Sequence, residues 1–251
     1  MTEQQSRRSL RYELGAGRPT FELPLALANL HFLLSPGDWV SCILKPILDD
    51  GWSPERAIDL IIGAGFTPVG TPVVDGSSIV IEASRIRSLP DSVAPGMRLL
   101  IVGLNPSPYS ADHAIGYARP GNRFWPAALK AGLVNVDRDP QHALHHHGLG
   151  MTDLVRRTTA RADQVERAEF VSGFERVERL AAWLQPKAAC FIGLGGWRAV
   201  IGRKAIAGVQ ERTLGGRPVY VMPHTSGLNA HCRLGDLVAH LCAAAELADG
   251  S

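Results

Sequence analysis

The stretch "LLIVGLNPSPYS", residues 99–110, decides the fold. It begins with a run of apolar residues that is typical of a strand buried on both faces. The run ends after Leu104, and Asn105 follows ahead of two prolines. Because Pro106 and Pro108 cannot continue a strand, the chain must turn here. An asparagine is common at such turns, so this amide taken alone predicts no function.

Apolar strands and amphipathic helices alternate from this stretch to the end of the chain. We predict strands in "RLLIVGL", "AACFIGL" and "RPVYVMP". We predict helices from Asn122 to Ala131 and in "FERVERLAAWLQ", "GGWRAVIG" and "GDLVAHLCAAAELA". This alternation favours a three-layer α/β/α fold with a mainly parallel central sheet. In such sheets ligands bind at the loops that leave the carboxyl ends of the strands, here "NPSPYS" and "HTSGLNAH".

The composition is that of an ordinary globular chain. Of its 251 residues, 45% are hydrophobic and 20% are charged, which fits a soluble protein. No apolar run approaches the roughly 20 residues of a membrane span, and no signal-like apolar stretch follows the first arginines. The four cysteines lie far apart without a C-x-x-C pair, which argues against a zinc or iron–sulfur site. Free thiols suit a reducing compartment, so we expect a cytoplasmic protein without membrane association.

Charge is distributed unevenly along the chain. Residues 1–97 contain 8 Lys and Arg against 11 Asp and Glu, whereas residues 98–251 contain 18 against 13. Fifteen of those 18 cations are arginine, whose fork of donors suits phosphate. This balance favours nucleic acid as a partner of the second part, although a solvated arginine-rich surface explains the same numbers.

Three motifs look like functional sites but are better explained as structure. "GLGGW", residues 193–197, lacks the third glycine and the later acidic residue of a dinucleotide-binding motif, so we predict a tight turn. His145–His147, with His142 nearby, point in different directions on a helix and favour a solvated loop or helix end over a metal site. "HTSGL" pairs a histidine with a serine, but the chain has no G-x-S-x-G elbow of a serine hydrolase.

Four further motifs follow one another in the second part of the chain. The first is Gly-x-Asn-Pro at residues 103–106, and the second is "YARPGNRFW" at residues 117–125. The third is "GMTDLVRRTTARADQV" at residues 150–165, and the fourth is "PHTSGL" at residues 223–228. In this order they resemble the mismatch-specific uracil/thymine-DNA glycosylases of the uracil-DNA glycosylase superfamily. The resemblance covers about residues 93–247 and implies a uracil-DNA glycosylase-like fold.

The resemblance implies an enzyme that hydrolyses the N-glycosidic bond of uracil, with thymine as a second candidate, after the base flips out of duplex DNA. Asn105 would orient the attacking water, and Tyr117 would stack on the flipped base. Leu228 would fill the space that the base leaves. The implied base-binding residues are Gly103, Leu104, Ser107, Ser110 and Tyr117, and the implied DNA-binding residues are Arg119, Asn122, Arg157, Ser226, Gly227, Leu228 and Asn229.

The sequence departs from the family pattern at two positions. Ser107-Pro108 stands where the family has a glycine after Asn-Pro, and Pro108 removes a backbone donor, so the base selectivity is open. His224 replaces the family's asparagine, and the archetypal uracil-DNA glycosylases carry a histidine in the corresponding loop. We predict a catalytic role in which neutral His224 donates a hydrogen bond to the uracil oxygen that gathers charge. A loop histidine bonded to the backbone is the alternative.

Lysines are scarce in the second part of the chain. Lys130, Lys187 and Lys204 are the lysines of residues 98–251, and none lies in a motif, so no amine is placed to form a Schiff base. We therefore predict a monofunctional glycosylase of base excision repair that leaves an abasic site, without a cofactor or metal. Its partner would be double-stranded DNA with mispaired or damaged bases, above all uracil opposite guanine. We expect a nucleoid-associated monomer.

The first part of the chain is not covered by this resemblance. We predict a polar arm over residues 1–20, an accessory α/β region over 21–90, a linker over 91–97 and the glycosylase domain over 98–251. Within residues 21–90 stand "ALANLHFLLSPGDWVSCIL", "LIIGAGFTPV" and "IVIEASRI". These stretches resemble the last third of a class I methyltransferase, but no glycine-rich cofactor loop precedes them. Two other functions stay open: a non-catalytic DNA- or nucleotide-binding module with the glycosylase fold, and a methyltransferase-related partner protein.

Overall fold

The structure is a computed structural model that describes residues 10–49, 51–161 and 164–250. The chain divides into two compact units, residues 1–90 (unit 1) and residues 91–251 (unit 2). Within the described ranges, no helix combines the length and the apolar composition that crossing a membrane requires.

Unit 1 is built on a four-stranded sheet in the order β1-β2-β4-β3, with two helices. Its first two strands are parallel, and its other neighbouring strands are antiparallel. Ser53 caps the second helix by accepting a hydrogen bond from the Arg56 N–H. The elements are β1 (Leu10–Leu14), α1 (Leu23–Leu33), β2 (Trp39–Leu44), α2 (Pro54–Gly63), β3 (Phe66–Asp75) and β4 (Ser78–Arg85).

The predicted polar arm over residues 1–20 differs from the structure. Residues 1–9 lie outside the described residues, but Leu10–Leu14 form the edge strand β1. Backbone hydrogen bonds to β2 hold this strand, so its polar side chains do not keep it out of the sheet. Strand β3 contains Pro68 and Pro72, which are unfavourable inside a sheet. It forms at the edge of the sheet, where prolines are tolerated.

Unit 2 contains a five-stranded sheet in the order β6-β5-β7-β9-β8. All neighbouring pairs are parallel except β8 with β9. Strand β5 is buried along its whole length, as its apolar run predicts. The elements are β5 (Leu99–Gly103), α3 (Pro108–Asp112), α4 (Phe124–Lys130), α5 (Pro140–His147), β6 (Leu149–Asp153), α6 (Arg167–Leu184), β7 (Ala188–Ile192), α7 (Leu194–Val200), β8 (Gly208–Leu214), β9 (Arg217–Met222) and α8 (Leu234–Asp249).

Helices cover both faces of this sheet, which confirms the predicted three-layer α/β/α fold. On one face Leu99 and Ile101 of β5 share a core with residues of α4, α5 and α8. On the other face Phe191 of β7 packs against Phe174 of α6 and Trp197 of α7, with ring centroids 6.2 and 4.9 Å away. Burial of this aromatic cluster and of the opposite core supplies the main stabilisation of the layers.

The predicted linker over residues 91–97 belongs instead to the folded body of unit 2. Asp91 is only 5% exposed, and its carboxylate accepts hydrogen bonds from Arg156 at 2.8 Å and Arg176 at 2.7 Å. Both arginines are buried as well. The polar, proline-containing composition predicts a linker, but the partners that bury Asp91 lie 65 and 85 positions further along the chain. Local composition cannot reveal them.

Candidate active site

Three loops meet at the carboxyl edge of the unit 2 sheet: the β5 loop (residues 104–110), the turn after β7, and the β9 loop (residues 223–229). Gly193 of the turn has φ +102°. A Cβ at this position would lie 3.3 Å from His224 Cβ and 3.4 Å from Leu104 Cδ1. Glycine allows both the backbone conformation and the close approach. Gly193 therefore makes the predicted tight turn, and Leu194–Trp197 already belong to α7. The turn brings Leu104 and His224 together.

Asn105 follows β5 directly, and its amide is held from one side. Its Nδ2 donates to Thr159 Oγ1 at 2.7 Å and to the Arg157 carbonyl at 3.3 Å. The Thr159 hydroxyl donates its own proton to the Arg161 carbonyl at 2.8 Å, so its oxygen must accept from Asn105. The amide orientation is thereby fixed. Among the described residues, none donates to Oδ1, which leaves this oxygen able to accept from a water.

Tyr117 has an unusual backbone conformation. Its φ is +59°, a region that side chains other than glycine rarely adopt. The half-buried ring stacks on Phe124, with centroids 4.4 Å apart and planes 25° from parallel. The next residue is anchored, because the Ala118 N–H donates to Ser110 Oγ at 3.2 Å. A strained, fixed aromatic residue of this kind points to a functional role.

Asp153, the last residue of β6, adds a carboxylate that sequence reasoning misses. A Cβ at Gly103 would lie 2.1 Å from Asp153 Oδ1 and 2.9 Å from Tyr117 Oη, so only glycine leaves room for both groups. The Tyr117 hydroxyl is buried without a hydrogen-bond partner among the described residues. Burial raises the pKa of Asp153 to about 6 and the pKa of Tyr117 well above its usual value. The sequence feature that could have identified Asp153 is its position in "GMTDLV", within the third motif.

His224 lies exposed on the β9 loop. Partial burial lowers its pKa below the usual 6.5, and the positive charge of Arg123 lowers it further. The imidazole is therefore neutral at pH 7 and can donate one hydrogen bond. Its backbone carbonyl accepts from Asn229 Nδ2 at 2.9 Å, which ties the two ends of the loop together.

Leu228 lies at the tip of the β9 loop. Its side chain is 84% exposed, which is unusual for a large apolar residue. The Leu228 N–H donates to Ser226 Oγ at 3.3 Å, so the Ser226 hydroxyl helps to shape the tip. A Cβ at Gly227 would lie 2.7 Å from the Gly121 carbonyl oxygen. Glycine at position 227 therefore lets the loop pack directly on the turn of the second motif.

Comparison with protein families finds a match over most of unit 2. The model of the uracil DNA glycosylase superfamily matches residues 90–243 of this chain. This range covers more than half of the chain and includes all four motifs. The chain belongs to the uracil DNA glycosylase superfamily. The match is to the superfamily as a whole, and it extends from the start of unit 2 into α8.

A solved structure is also similar to this superfamily member. It is the solution NMR structure of a candidate uracil DNA glycosylase from Methanosarcina acetivorans, which is 21% identical in sequence. The similarity covers 64% of this chain and 97% of that one, with a TM-score of 0.46.

In this superfamily member, the side chains of three predicted site residues form hydrogen bonds with other groups of the protein. Ser107 Oγ accepts from the Ser110 N–H and donates to Ser110 Oγ, both at 3.1 Å, which caps α3. Asn122 Oδ1 accepts from the Phe124 N–H at 2.9 Å at the start of α4. These contacts position the turns beside Asn105 and Tyr117. Direct contacts of Ser107, Ser110 and Asn122 with base or DNA stay predictions.

The two arginines predicted to contact DNA differ in their surroundings. Arg119 is exposed. Arg157 makes a two-pronged ion pair with Glu169, at 2.6 and 2.7 Å, and this pair lowers the pKa of Glu169. A phosphate would therefore compete with Glu169 for the Arg157 guanidinium.

The histidines of α5 form a surface cluster rather than an evident metal centre. The Nε2 atoms of His142 and His147 both lie near Asn135 Oδ1, at 2.7 and 2.8 Å. In the part of the chain that the structure describes, no group of three or more His, Cys, Asp or Glu side chains could hold a metal ion.

Proposed function

We propose that this protein is a monofunctional DNA glycosylase that hydrolyses the N-glycosidic bond of uracil mispaired with guanine in duplex DNA, with thymine as a second substrate. The observation that carries the proposal is the Asn105 amide, which Thr159 fixes with Oδ1 able to accept a hydrogen bond. Membership of the superfamily supports removal of a base from DNA.

The reaction breaks the bond between the uracil nitrogen and the sugar carbon C1′, and the base leaves with the electron pair. The sugar becomes positively charged in the transition state, as in other glycosidic cleavages. Asn105 Oδ1 accepts a hydrogen bond from a water and aims its oxygen at C1′. An amide is too weak a base to take the proton, which passes to solvent or to the departing base. Catalysis is therefore slower than with a carboxylate at this position.

The leaving base needs stabilisation because it departs as an anion. Neutral His224 donates a hydrogen bond to the uracil oxygen that gathers this charge, and its lowered pKa keeps the imidazole uncharged. Tyr117 stacks on the flipped base, because its ring is held in place by Phe124.

Flipping requires that the base leave a stacked duplex. Leu228 is the residue that enters the vacated space, because its exposed apolar side chain is the type that wedges between bases. Ser226, Gly227 and Asn229 hold its backbone beside the DNA phosphates, and the exposed Arg119 adds salt-dependent affinity.

The product is an abasic site with an intact strand. A lyase step would need a lysine amine to attack C1′. Lys130, Lys187 and Lys204 are the lysines of unit 2, and none of them lies in the β5 or β9 loop.

The proposal is tested with labelled duplexes that carry U opposite G, T opposite G or U opposite A. Each is incubated with the wild type, with Asn105→Ala and with the control Asn135→Ala, and is then treated with alkali, which cuts abasic sites. We expect cutting of the U:G duplex by the wild type and the control, and its loss in Asn105→Ala. DNA binding without cutting of any duplex would contradict the proposal and select a non-catalytic binding module.

A further inference from the structure

Arg123 connects the turn of the second motif to the β9 loop. Its guanidinium donates to three backbone carbonyls at or just beyond this loop: Ser226 at 3.0 Å, Asn229 at 2.9 Å and Cys232 at 2.5 Å. Its backbone N–H also donates to the Thr225 carbonyl at 2.9 Å. One residue therefore supplies four hydrogen bonds to a segment that lies about a hundred positions away in the sequence.

The contacts of Arg123 are hydrogen bonds to neutral carbonyls, which depend on the planar shape of the guanidinium and not on an ion pair. Within the described residues, no carboxylate pairs with Arg123. The side chain is half-buried, and its Nε is buried without a partner. Burying a cation among neutral carbonyls costs free energy, so the arrangement is poorly suited to stability alone. A planar fork can hold separate carbonyls at fixed angles, which a lysine ammonium cannot do equally well.

The β9 loop benefits from such a support because the apolar side chain at its tip is exposed. Leu228 is 84% exposed and gains little from packing in the free protein. Three further hydrogen bonds run within the loop: the Leu228 N–H to Ser226 Oγ, the Asn229 N–H to the Ser226 carbonyl, and Asn229 Nδ2 to the His224 carbonyl. Gly227 also approaches Gly121 closely. Arg123 fixes the carbonyls on both sides of Leu228, at Ser226 and Asn229.

We propose that Arg123 is a positioning residue that holds the β9 loop in the conformation from which Leu228 enters the duplex. The proposal rests on the proposed function. Leu228 is needed only where a base is expelled from a stacked duplex, because it fills the space that the base leaves. In a single strand the base is unpaired, and no such space has to be filled. Loss of the Arg123 side chain therefore impairs removal of uracil from duplex DNA. It spares removal from a single strand, because the backbone hydrogen bond from residue 123 to the Thr225 carbonyl, next to His224, is kept.

The first test compares two substrates, U:G duplex and single-stranded uracil DNA, with Arg123→Met, Arg123→Lys and the control Arg212→Met. Arg212 is an exposed arginine of β8 that pairs with Glu178. Arg123→Met removes all three side-chain hydrogen bonds, and we expect it to lower kcat/KM on the duplex by about tenfold to a hundredfold. We expect a change of less than about threefold on the single strand. Equal losses on both substrates would overturn the proposal.

The variant Arg123→Lys distinguishes the effect of the guanidinium's shape from the effect of its positive charge. It keeps the cation but loses the fork, so we expect a duplex defect close to that of Arg123→Met. A wild-type rate for Arg123→Lys would contradict the role of the fork. The double variant Arg123→Met/Leu228→Ala should be no slower on the duplex than Leu228→Ala alone, since both changes disable the same step. Fully additive losses would overturn the link between the two residues.

A second measurement does not depend on activity. The Leu228 and Asn229 amides donate to Ser226 Oγ and to the Ser226 carbonyl, so their hydrogen exchange reports loop order in the free protein. We expect Arg123→Met to speed this exchange by about tenfold or more, while Arg212→Met leaves it unchanged. Unchanged exchange in Arg123→Met would overturn the proposal. If the wild type released no uracil from any DNA, the proposed function would fail, and this measurement would still decide whether Arg123 holds the loop.

Discussion

The β5 loop and the β9 loop leave the same edge of one sheet, but they are held in opposite ways. The β5 loop presents a polar side chain, Asn105, whose amide is fixed by a side chain and a carbonyl of another segment. The β9 loop presents an apolar side chain, Leu228, which is 84% exposed, while its backbone is held by Arg123. One loop controls the orientation of a side chain, and the other controls the position of a backbone.

This difference separates two tasks that a base-removing enzyme must perform. Orienting a water requires a polar atom with one allowed direction, which the β5 loop provides. Opening a duplex requires an apolar group that is out in solvent before it meets DNA, which the β9 loop provides. Changes near Asn105 should therefore affect every substrate, and changes at Leu228 or Arg123 should affect duplex DNA alone.

After Asn105 itself, the largest effect that we predict is at Tyr117. Tyr117→Ala removes the stacking surface and should lower kcat/KM by about tenfold to a hundredfold on both duplex and single-stranded uracil DNA. Tyr117→Phe is the matched control, because the hydroxyl that it removes is buried without a partner. Steady-state kinetics on both substrates measure the effect. A duplex-only defect in Tyr117→Ala would break the proposed separation of tasks.

A smaller effect is expected at Thr159, which touches Asn105 and not the substrate. Thr159→Val removes the acceptor of the Asn105 amide and should lower kcat by about tenfold, with KM unchanged, because it disturbs a single hydrogen bond. Thr158→Val is the neighbouring control and should behave as wild type. A wild-type kcat in Thr159→Val would show that the fixed amide orientation is not needed.

The next prediction concerns Asp153 and the dependence of the free energy of unfolding on pH. Its folded-state pKa is raised to about 6 from 3.8, so its protonated form favours the folded state. This stabilisation is complete below the unfolded pKa and is lost as pH rises through 6. Asp153→Asn should therefore gain about 1 kcal/mol in free energy of unfolding relative to wild type between about pH 5 and pH 8. Denaturant titrations at both pH values would show a constant difference if Asp153 were unperturbed.

The smallest effect concerns Arg157, whose predicted role is to contact DNA. Glu169→Gln weakens the ion pair that occupies the guanidinium and should strengthen DNA binding by less than about threefold. The slope of log affinity against log salt concentration should become steeper by at most about 1, the value of one phosphate contact. Fluorescence anisotropy at several salt concentrations measures both quantities. An unchanged slope would argue that Arg157 serves only to join its segment to α6.

Much of the second unit can be predicted from local patterns. The apolar run at residues 99–103 predicts a buried strand, and the breakers after it place Asn105 at the strand end. The order of four motifs predicts the superfamily, which the family match confirms. Strands β6 and β8 escape prediction. The sequence of β6, "LGMTD", has no continuous apolar run, and β8 is a polar strand at the edge of the sheet.

The supports of the site could not be predicted, because they join distant parts of the chain. Thr159 lies 54 positions from Asn105, and Ser226 lies 103 positions from Arg123. Neither residue type signals such a contact by itself. The same reason makes the predicted linker wrong at Asp91. The resemblance of residues 21–90 to a methyltransferase, and the contact of each predicted residue with DNA, stay predictions.

The most direct test of the two tasks is a single-turnover comparison of wild type, Asn105→Ala and Leu228→Ala on U:G duplex and on single-stranded uracil DNA. The rate of uracil release is measured for each protein and each substrate with enzyme in excess. We predict that Asn105→Ala loses about a hundredfold or more on both substrates, whereas Leu228→Ala loses activity on the duplex and keeps the wild-type rate on the single strand. An equal loss on both substrates in Leu228→Ala, or full activity in Asn105→Ala, would contradict the account.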